Sequence, residues 1–452
     1  MKSQSRLVLA ASIALGLGLV PGPQPLAADD AMTELIEILY RKGSIDQAEY
    51  EALMKAANEE AESEDAIKKH VEEAPKVSTA KGLTIGSQDG SSEWDFSGRV
   101  QMDAATYGDA ADDNGNEVPL ADFGQEARRV WLSFRGRMWD HWALRIQYDF
   151  SGNSLKDGWL SYSGLPGRTT LKIGQFKEPI SISQQTGNGN LTFLERPTPV
   201  NGQLPFRNVG VQVGTKFDRG TLTAGLFGQG LDSGGGDEQA SVAFTARGTF
   251  APIHGNRRLL HLGSAFTVRD AGDRKSFRFR DRPESHITNT RLVDTGNIEG
   301  ADGLFSANVE AAGVYNRFAW QGEYIMTSVD RSEAFGGDLD FAGYYVVGSF
   351  FLTDDSRRYN MGAGKWRSVS PSNPLSQGGT GAWQVGLRYS DMDFIDGDID
   401  GGEQQIVSAV LNWYPESNLR FSVNYNKVVS LDGGPFPGAE PGAVTARAQI
   451  TW

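Results

Sequence analysis

Residues 141–150 read HWALRIQYDF. The even positions carry Trp142, Leu144, Ile146, Tyr148 and Phe150, and the odd ones His141, Ala143, Arg145, Gln147 and Asp149. A period of two belongs to an extended strand whose side chains alternate between two sides, so this strand has one apolar face and one wet, charged face. The alternation recurs from residue 94 almost to the end of the chain, in 94–104, 130–138, 209–217, 260–269, 318–326, 383–390, 419–427 and 444–452. A soluble sandwich also alternates, but it does not set an apolar face rich in terminal aromatics against a face built around Arg and Gln. Lipid outside and water inside a barrel accounts for both faces.

Candidate strands fall at 94–107, 125–138, 141–150, 156–164, 168–176, 208–217, 220–229, 239–250, 257–269, 304–315, 317–329, 338–353, 381–392, 403–414, 418–430 and 442–452, sixteen in all and an even number. Short connectors at Asp140, 165–167, 218–220, Asn316 and 415–418 alternate with longer ones at 108–124, 177–207, 270–303, 393–402 and 431–441. Short periplasmic turns and long outer loops give this asymmetry in outer-membrane barrels. Residues 354–380 break it, because a long polar stretch falls where a short turn belongs. It is either an excursion on that side or a slip in the count. The last strand puts Val444, Ala446, Ala448, Ile450 and Trp452 on one face, and an aromatic ending is typical of substrates of the barrel-assembly machinery. The expected fold is all-β, a 16-stranded antiparallel transmembrane β-barrel over 94–452 with a short N-terminal helical segment.

Composition agrees. Hydrophobic content of 39% with 55 Gly, 13 Tyr, 10 Trp and 23 Phe is too polar for a bundle of membrane helices and suits strands and turns. The chain has no Cys, which removes disulfides, thiol nucleophiles and thiolate metal sites together. Lys2 and Arg6, an apolar run over 7–20, then Pro21, Pro23, Pro25 and Leu26-Ala27-Ala28 describe a cleavable signal peptide over 1–28. Beyond it no apolar run reaches the roughly 18 residues a membrane helix needs.

Residues 29–74 form the helical segment. Met32, Leu35, Ile36 and Leu39 share a face, Gly43 ends the first helix, and a second helix capped at Ser44 with Gln47 three residues on offers Tyr50, Leu53 and Met54. Fourteen acidic and five basic residues between Asp29 and Glu73 carry most of the formal charge of -14. A solvated spacer and a short coiled-coil contact between subunits both fit. Residues 75–93 read as a linker.

By strand phase, Arg99, Arg129, Arg135, Arg137, Arg145, Lys172, Lys216, Arg247, Arg269, Arg388, Arg420 and Arg447 point inward, against Asp95, Asp103, Asp149, Glu310 and Glu323. An excess of cations in a low-dielectric channel raises the local anion concentration. Arginine's planar fork also pairs bidentately with phosphate or carboxylate. The competing reading is that these arginines pair with lumen acids and stiffen the wall, but the acids are too few to neutralise them. The connector KEPISISQQTGNGNLTFLERPTPVNGQLPFR over 177–207 is long and without secondary structure of its own, which usually marks function. Folded inward it narrows the pore, with Lys177, Glu178, Glu195, Arg196 and Arg207 as its charged groups.

The segments FSGRVQMDAATYGD, ARRVWLSFRG, LKIGQFKEPISI, LTFLERP, ARGTFAP and RFRDRPESH resemble, in order and spacing, the phosphate-selective porin O and P family over roughly 94–452. The resemblance implies a homotrimeric outer-membrane porin, set in lipid and lipopolysaccharide, whose third loop folds inward and whose arginine ladder conducts anions such as inorganic phosphate or polyphosphate. By motif it carries Arg99 of SGRVQ, Arg128 and Arg129 of ARRVW and Arg196 of LERP into the ladder, with Arg269 of TVRD and Arg280 of RFRDR. Phase, loop and resemblance together give Arg99, Arg128, Arg129, Arg135, Lys177, Arg196, Arg207, Arg247, Arg269 and Arg280 as the anion pathway. There are two departures from the family pattern. Its phosphate-selective members carry a lysine shortly before the LER element, where Gly189 stands here, and the strand phase points Arg128 outward.

Other chemistry is thin. The five His are scattered, and neither a G-x-S-x-G element nor a phosphate-binding loop is present. Asp396 to Gly401 resembles the start of a calcium loop, but its twelfth position is Val407 where Glu is needed, so it reads as a solvated outer loop. No catalytic residue, metal, cofactor or nucleic-acid partner is expected. The expected function is passive, anion-preferring diffusion across the bacterial outer membrane. The alternatives are a weakly selective general porin and a barrel enzyme, for which His261 next to Ser264 is the place to probe.

Overall fold

The computed structural model describes residues 28–79, 82–231 and 241–452, so the predicted signal peptide lies outside the described residues up to its last position. From Ser92 the chain meanders through β1 (Ser92–Tyr107), β2 (Phe123–Met138), β3 (Trp142–Asp149), β4 (Ser154–Leu165), β5 (Thr169–Lys177), β6 (Arg207–Lys216), β7 (Gly220–Phe227) and β8 (Ala243–Gly255). It continues through β9 (Arg258–Asp270), β10 (Ala301–Tyr315), β11 (Phe318–Arg331), β12 (Leu339–Phe351), β13 (Ala382–Asp396), β14 (Ile399–Glu416), β15 (Leu419–Asp432) and β16 (Gly442–Thr451). Each strand pairs antiparallel with the next, and β16 pairs with β1 from Ala443↔Tyr107 to Thr451↔Arg99, which closes the barrel and leaves no edge in lipid.

All sixteen expected strands are present. The alternation is realised as read. Ile146, Phe150, Val211, Leu222, Leu387 and Val423 are exposed on the outer wall, while Gln101, Gln147, Thr245, Asn308, Gln384 and Asn424 are buried inside. The seam is finished by the last residue. Gly98 N–H donates to the Trp452 carbonyl at 3.0 Å, Trp452 N–H donates back at 3.1 Å, and the indole lies where a Cβ on Gly98 would be, 2.1 Å from the ring.

Three sequence expectations are corrected. The linker over 75–93 is partly an antiparallel hairpin, Lys76–Ser78 with Leu83–Gly86, whose second strand pairs with the first residues of β1. The run over 393–402 is a tight hairpin, because β13 and β14 pair as far as Asp396↔Ile399, and Asp398 turns back to pair with Arg331. The second helix is capped by Asp46 rather than Ser44. Asp46 accepts from Glu49 N–H at 2.8 Å and Glu49 accepts from Asp46 N–H at 2.9 Å, a complete capping box.

Residues 354–380 are an excursion and not a slip, since β12 and β13 keep one register from Ala342↔Asp393 to Phe351↔Gln384. The segment turns back into the barrel through a small pairing of Tyr359–Asn360 with Lys365–Trp366. Separately, Ala28–Arg41 and Gln47–Glu73 form a helical unit of their own, with Tyr40 stacked on Tyr50 at 4.6 Å and Met32, Leu35 and Leu53 exposed.

Candidate anion pathway

The long connector after β5 does fold inward, but it is not structureless. It carries helical turns at Ile182–Gln185, Asn188–Asn190 and Thr198–Gln203, and Ile180, Ile182 and Val200 are fully buried. Where a loop packs against the barrel wall, the backbone groups it takes away from water must find protein partners. Carboxylates of the wall take its first N–H groups. Glu310 accepts from Ile182 N–H at 2.6 Å, and Glu323 accepts from Ser183 N–H at 3.0 Å and the Ser181 hydroxyl at 2.9 Å. Arginines of the wall take its carbonyls. Arg420 donates to Leu191 and Thr192, Arg447 to Leu194, and Arg388 to Glu195, at 2.7 to 2.8 Å.

This divides the expected ladder. Arg196 donates to the carbonyls of Ser183 and Thr186 and to Asn188 Oδ1, and Lys177 Nζ donates to the carbonyls of Gln184 and Thr186. Both hold the loop's own shape. Arg247 pairs with Glu310, Arg269 with Glu178, Arg207 with Asp157 at 2.8 Å and Arg388 with Glu284. Pairing is therefore far more extensive than the strand phase implies, because Glu178, Glu195 and Glu284 come from loops that strand phase does not count. Glu178 and Glu195 stand among the connector's charged groups, but no local signal tells which arginine each meets, and none marks Glu284.

Arg128 reaches the lumen through a bulge. The register runs Gln101↔Arg129 and then Met102↔Ala127, so Arg128 is the extra residue and turns inward to grip Glu195 with Nε at 2.8 Å and Nη2 at 3.0 Å. Glu195 also accepts from Arg129 at 3.4 Å and Arg447 at 2.9 Å. Burial alone would raise its carboxyl, but Arg128, Arg129 and Arg447 hold it well below the ordinary range. One carboxylate thus serves three guanidiniums.

Cations without a carboxylate partner remain along one wall. Among the described residues Arg135 and Arg280 make no side-chain hydrogen bond or ion pair, and Arg99 leaves its Nε unpartnered while lying 5.4 Å over Trp131. Arg129 and Arg207 flank the same indole at 6.0 and 5.8 Å. Gly189 has a reason here: a Cβ on it would lie 2.8 Å from the Arg99 guanidinium, which fills that space. On the turn side, Lys172 lies over Trp159 at 5.1 Å and Lys365 comes from the excursion, where burial and then Lys172 lower it to about 8.

The excursion closes on the loop. Arg357 donates to the Asn190 carbonyl at 2.7 Å, Trp366 N–H to Thr186 Oγ1 at 3.3 Å and Trp366 Nε1 to Gln321 at 2.5 Å. The loop before β10 comes in from the opposite end, where Glu284 accepts from Ser390 at 2.7 Å, Ser408 at 3.1 Å and Thr198 N–H at 3.0 Å. Two cavities flank the constriction. The one on the long-loop side, of about 350 Å³, is lined by Arg128, Arg129, Arg196, Arg207, Arg282 and Arg291 among others. The one on the turn side, of about 270 Å³, is lined by Arg99, Gly189, Arg420 and Gln449 among others.

The enzyme alternative meets a geometric obstacle. His261 is buried inside, with one ring nitrogen 3.0 Å from Glu310 and the other 2.5 Å from the Tyr359 hydroxyl, while Ser264 points outward and donates to the Asn308 carbonyl.

A family model described as phosphate-selective porin O and P matches residues 95–452. Porin O of Pseudomonas aeruginosa is 26% identical over 391 residues, covering 78% of this chain and 86% of that protein. An uncharacterized protein of Caulobacter vibrioides is 30% identical over 346 residues, covering 73% of this chain and 67% of its own. Among solved structures, the outer-membrane protein OmpT of Vibrio cholerae superposes with a TM-score of 0.50 at 12% identity over 80% of this chain and 98% of that one, a likeness of fold.

Proposed function

Since the chain belongs to the phosphate-selective porin O and P family and closes as a barrel of the bacterial outer membrane, we propose that it is a passive porin whose anion pathway follows the cations without a carboxylate partner together with Arg128, Arg129 and Arg207, which outnumber the acids they share, and not the whole ladder. Anions enter past Arg280, Arg282 and Arg291, pass Arg128, Arg129 and Arg207 at Trp131, and leave past Arg99, Arg135, Lys172 and Lys365. Arg196, Lys177, Arg247 and Arg269 keep the constriction in shape. The single observation that carries this reading is the side-by-side placement of Arg99, Arg129 and Arg207 around one indole, with Asp157 and Glu195 their nearest acids. Weak, successive contacts of this kind let an ion trade its water shell and still leave.

Inorganic phosphate, polyphosphate and other small anions are the proposed cargo, carried by a homotrimer set in lipid and lipopolysaccharide and inserted by the barrel-assembly machinery. A weakly selective porin is the second reading, favoured by Gly189 and by the extent of arginine pairing. Purified protein in planar bilayers under a KCl gradient separates them: a reversal potential favouring chloride with phosphate block at low concentration supports the first, chloride preference without block the second, and cation preference refutes both.

A further inference from the structure

One stretch of the outer wall is hollow. Two adjacent outward rows cross β11 to β14 beside the short turns. The row nearer the turns is filled by Phe318, Phe350, Val385 and Leu411, and the next runs Trp320, Gly348, Leu387 and Ala409. Gly348 and Ala409 leave gaps in the second row. The Trp320 indole does not cover them, because it lies over Gly313 on the other side. What remains is an apolar groove of about 810 Å³ on the lipid-facing wall. A Cβ on Gly348 would stand 3.8 Å from the Phe318 ring, so the space beside it is open.

At the turn end of the groove stand two arginines without a carboxylate. Arg258, Tyr315, Phe318 and Phe350 share one cross-strand row, with Arg258 over the Tyr315 ring at 5.5 Å and Arg317 over the Phe350 ring at 5.6 Å. Asp354 on that rim is gripped at both oxygens by Arg257. Among the described residues Arg258 and Arg317 form no ion pair, and Arg317 donates to the Leu352 carbonyl at 3.4 Å. Aromatic rings topped by cations suit the level of lipid headgroups, and arginines there attract anionic lipid.

We propose that the groove binds one anionic phospholipid of the periplasmic leaflet, its acyl chain against Gly348 and Ala409 and its headgroup phosphate on Arg317 and Arg258. A chain laid in the hollow regains the dispersion contacts that a void forgoes. The volume falls within the roughly 300–1,000 Å³ of ligand sites. Hollow and spare charge at one place set this lipid apart from the others around the barrel. The competing occupant is a neighbouring barrel.

The full-length protein, stripped of lipid in detergent, is titrated with dioleoylphosphatidylglycerol and, separately, with dioleoylphosphatidylethanolamine, and bound lipid is counted by native mass spectrometry. One phosphatidylglycerol per chain is expected at roughly tenfold lower concentration than phosphatidylethanolamine, the size of the attraction that two surface arginines exert on anionic lipid. Arg258→Gln with Arg317→Gln brings the two lipids to within about twofold of each other. Gly348→Phe fills the hollow and cuts retention of both. A heat-modifiability gel shows that each variant is folded and whether its oligomer survives. Equal retention of the two lipids by the wild type overturns the site, and so does an unchanged preference in the arginine variant. A Gly348→Phe protein that binds lipid as before also overturns it, as does one that loses its oligomer, which gives the groove to a neighbouring barrel. Where Gly348→Phe does not fold, the arginine variant decides alone.

Discussion

Replacing Arg99 by Gln and, separately, Arg388 by Gln distinguishes an arginine that conducts from one that anchors. Arg99 has no carboxylate partner and lies half-buried over Trp131, so its charge is available to a passing ion. Two unit charges at about 4 Å interact by about 1 kcal/mol in bulk water and about 4 kcal/mol at an effective dielectric of 20, and a wet constriction lies between. Taking about 1–2 kcal/mol, Arg99→Gln lowers the anion-to-cation permeability ratio roughly five- to thirtyfold. The barrel still folds, because the side chain ties down no loop.

Arg388 donates to Glu284 and to the Glu195 carbonyl, and is 3% exposed. Removing it leaves Glu284 a buried, unpaired charge, which costs about 3–5 kcal/mol. Arg388→Gln therefore shows as a lower thermal midpoint and noisy, substate-rich conductance before it shows as changed selectivity. Reversal potentials and heat-dependent gel mobility measure both effects on the same preparations. If Arg99→Gln leaves the reversal potential in place while Arg388→Gln shifts it in a fully stable barrel, the division into conducting and anchoring arginines is wrong.

Further outcomes are expected. Lys365 carries its charge below about 8 and loses it above, so anion preference falls as pH rises through that value, and Lys365→Gln removes the dependence in pH-stepped bilayer recordings. Trp366→Ala keeps the backbone N–H to Thr186 but removes the indole that packs in the excursion and donates to Gln321, so the excursion loosens over the constriction and single-channel conductance rises while selectivity drops. Gly98→Leu drives a side chain into the terminal indole, 2.1 Å from where its Cβ would stand, so the seam fails to close and folded protein is lost on a heat-modifiability gel; adding Trp452→Ala restores part of it. Asp46→Ala breaks the capping box and destabilises the helical unit by about 1 kcal/mol, read from the circular dichroism melt of the full chain at 222 nm.

The barrel was legible because its signal is local and repeated. Side chains two residues apart share a face whatever the rest of the chain does, so HWALRIQYDF and its counterparts disclosed strand number, the lipid-facing wall and the closing aromatic before any contact was known. Family motifs likewise located Arg99, Arg129 and the inward loop. Which arginines are free is a question of another kind. It depends on acids that reach the lumen from loops distant in sequence, Glu195 to Arg447 across 252 residues and Glu284 to Arg388 across 104. No periodicity reports such meetings. The bulge that turns Arg128 inward, the space left by Gly189 for Arg99 and the entry of 354–380 into the barrel are also decided by three-dimensional fit. The alternation along the strands determined the container and the sign of the charge it presents, while only the packed loops decided where that charge is spent on structure and where it is left for an ion.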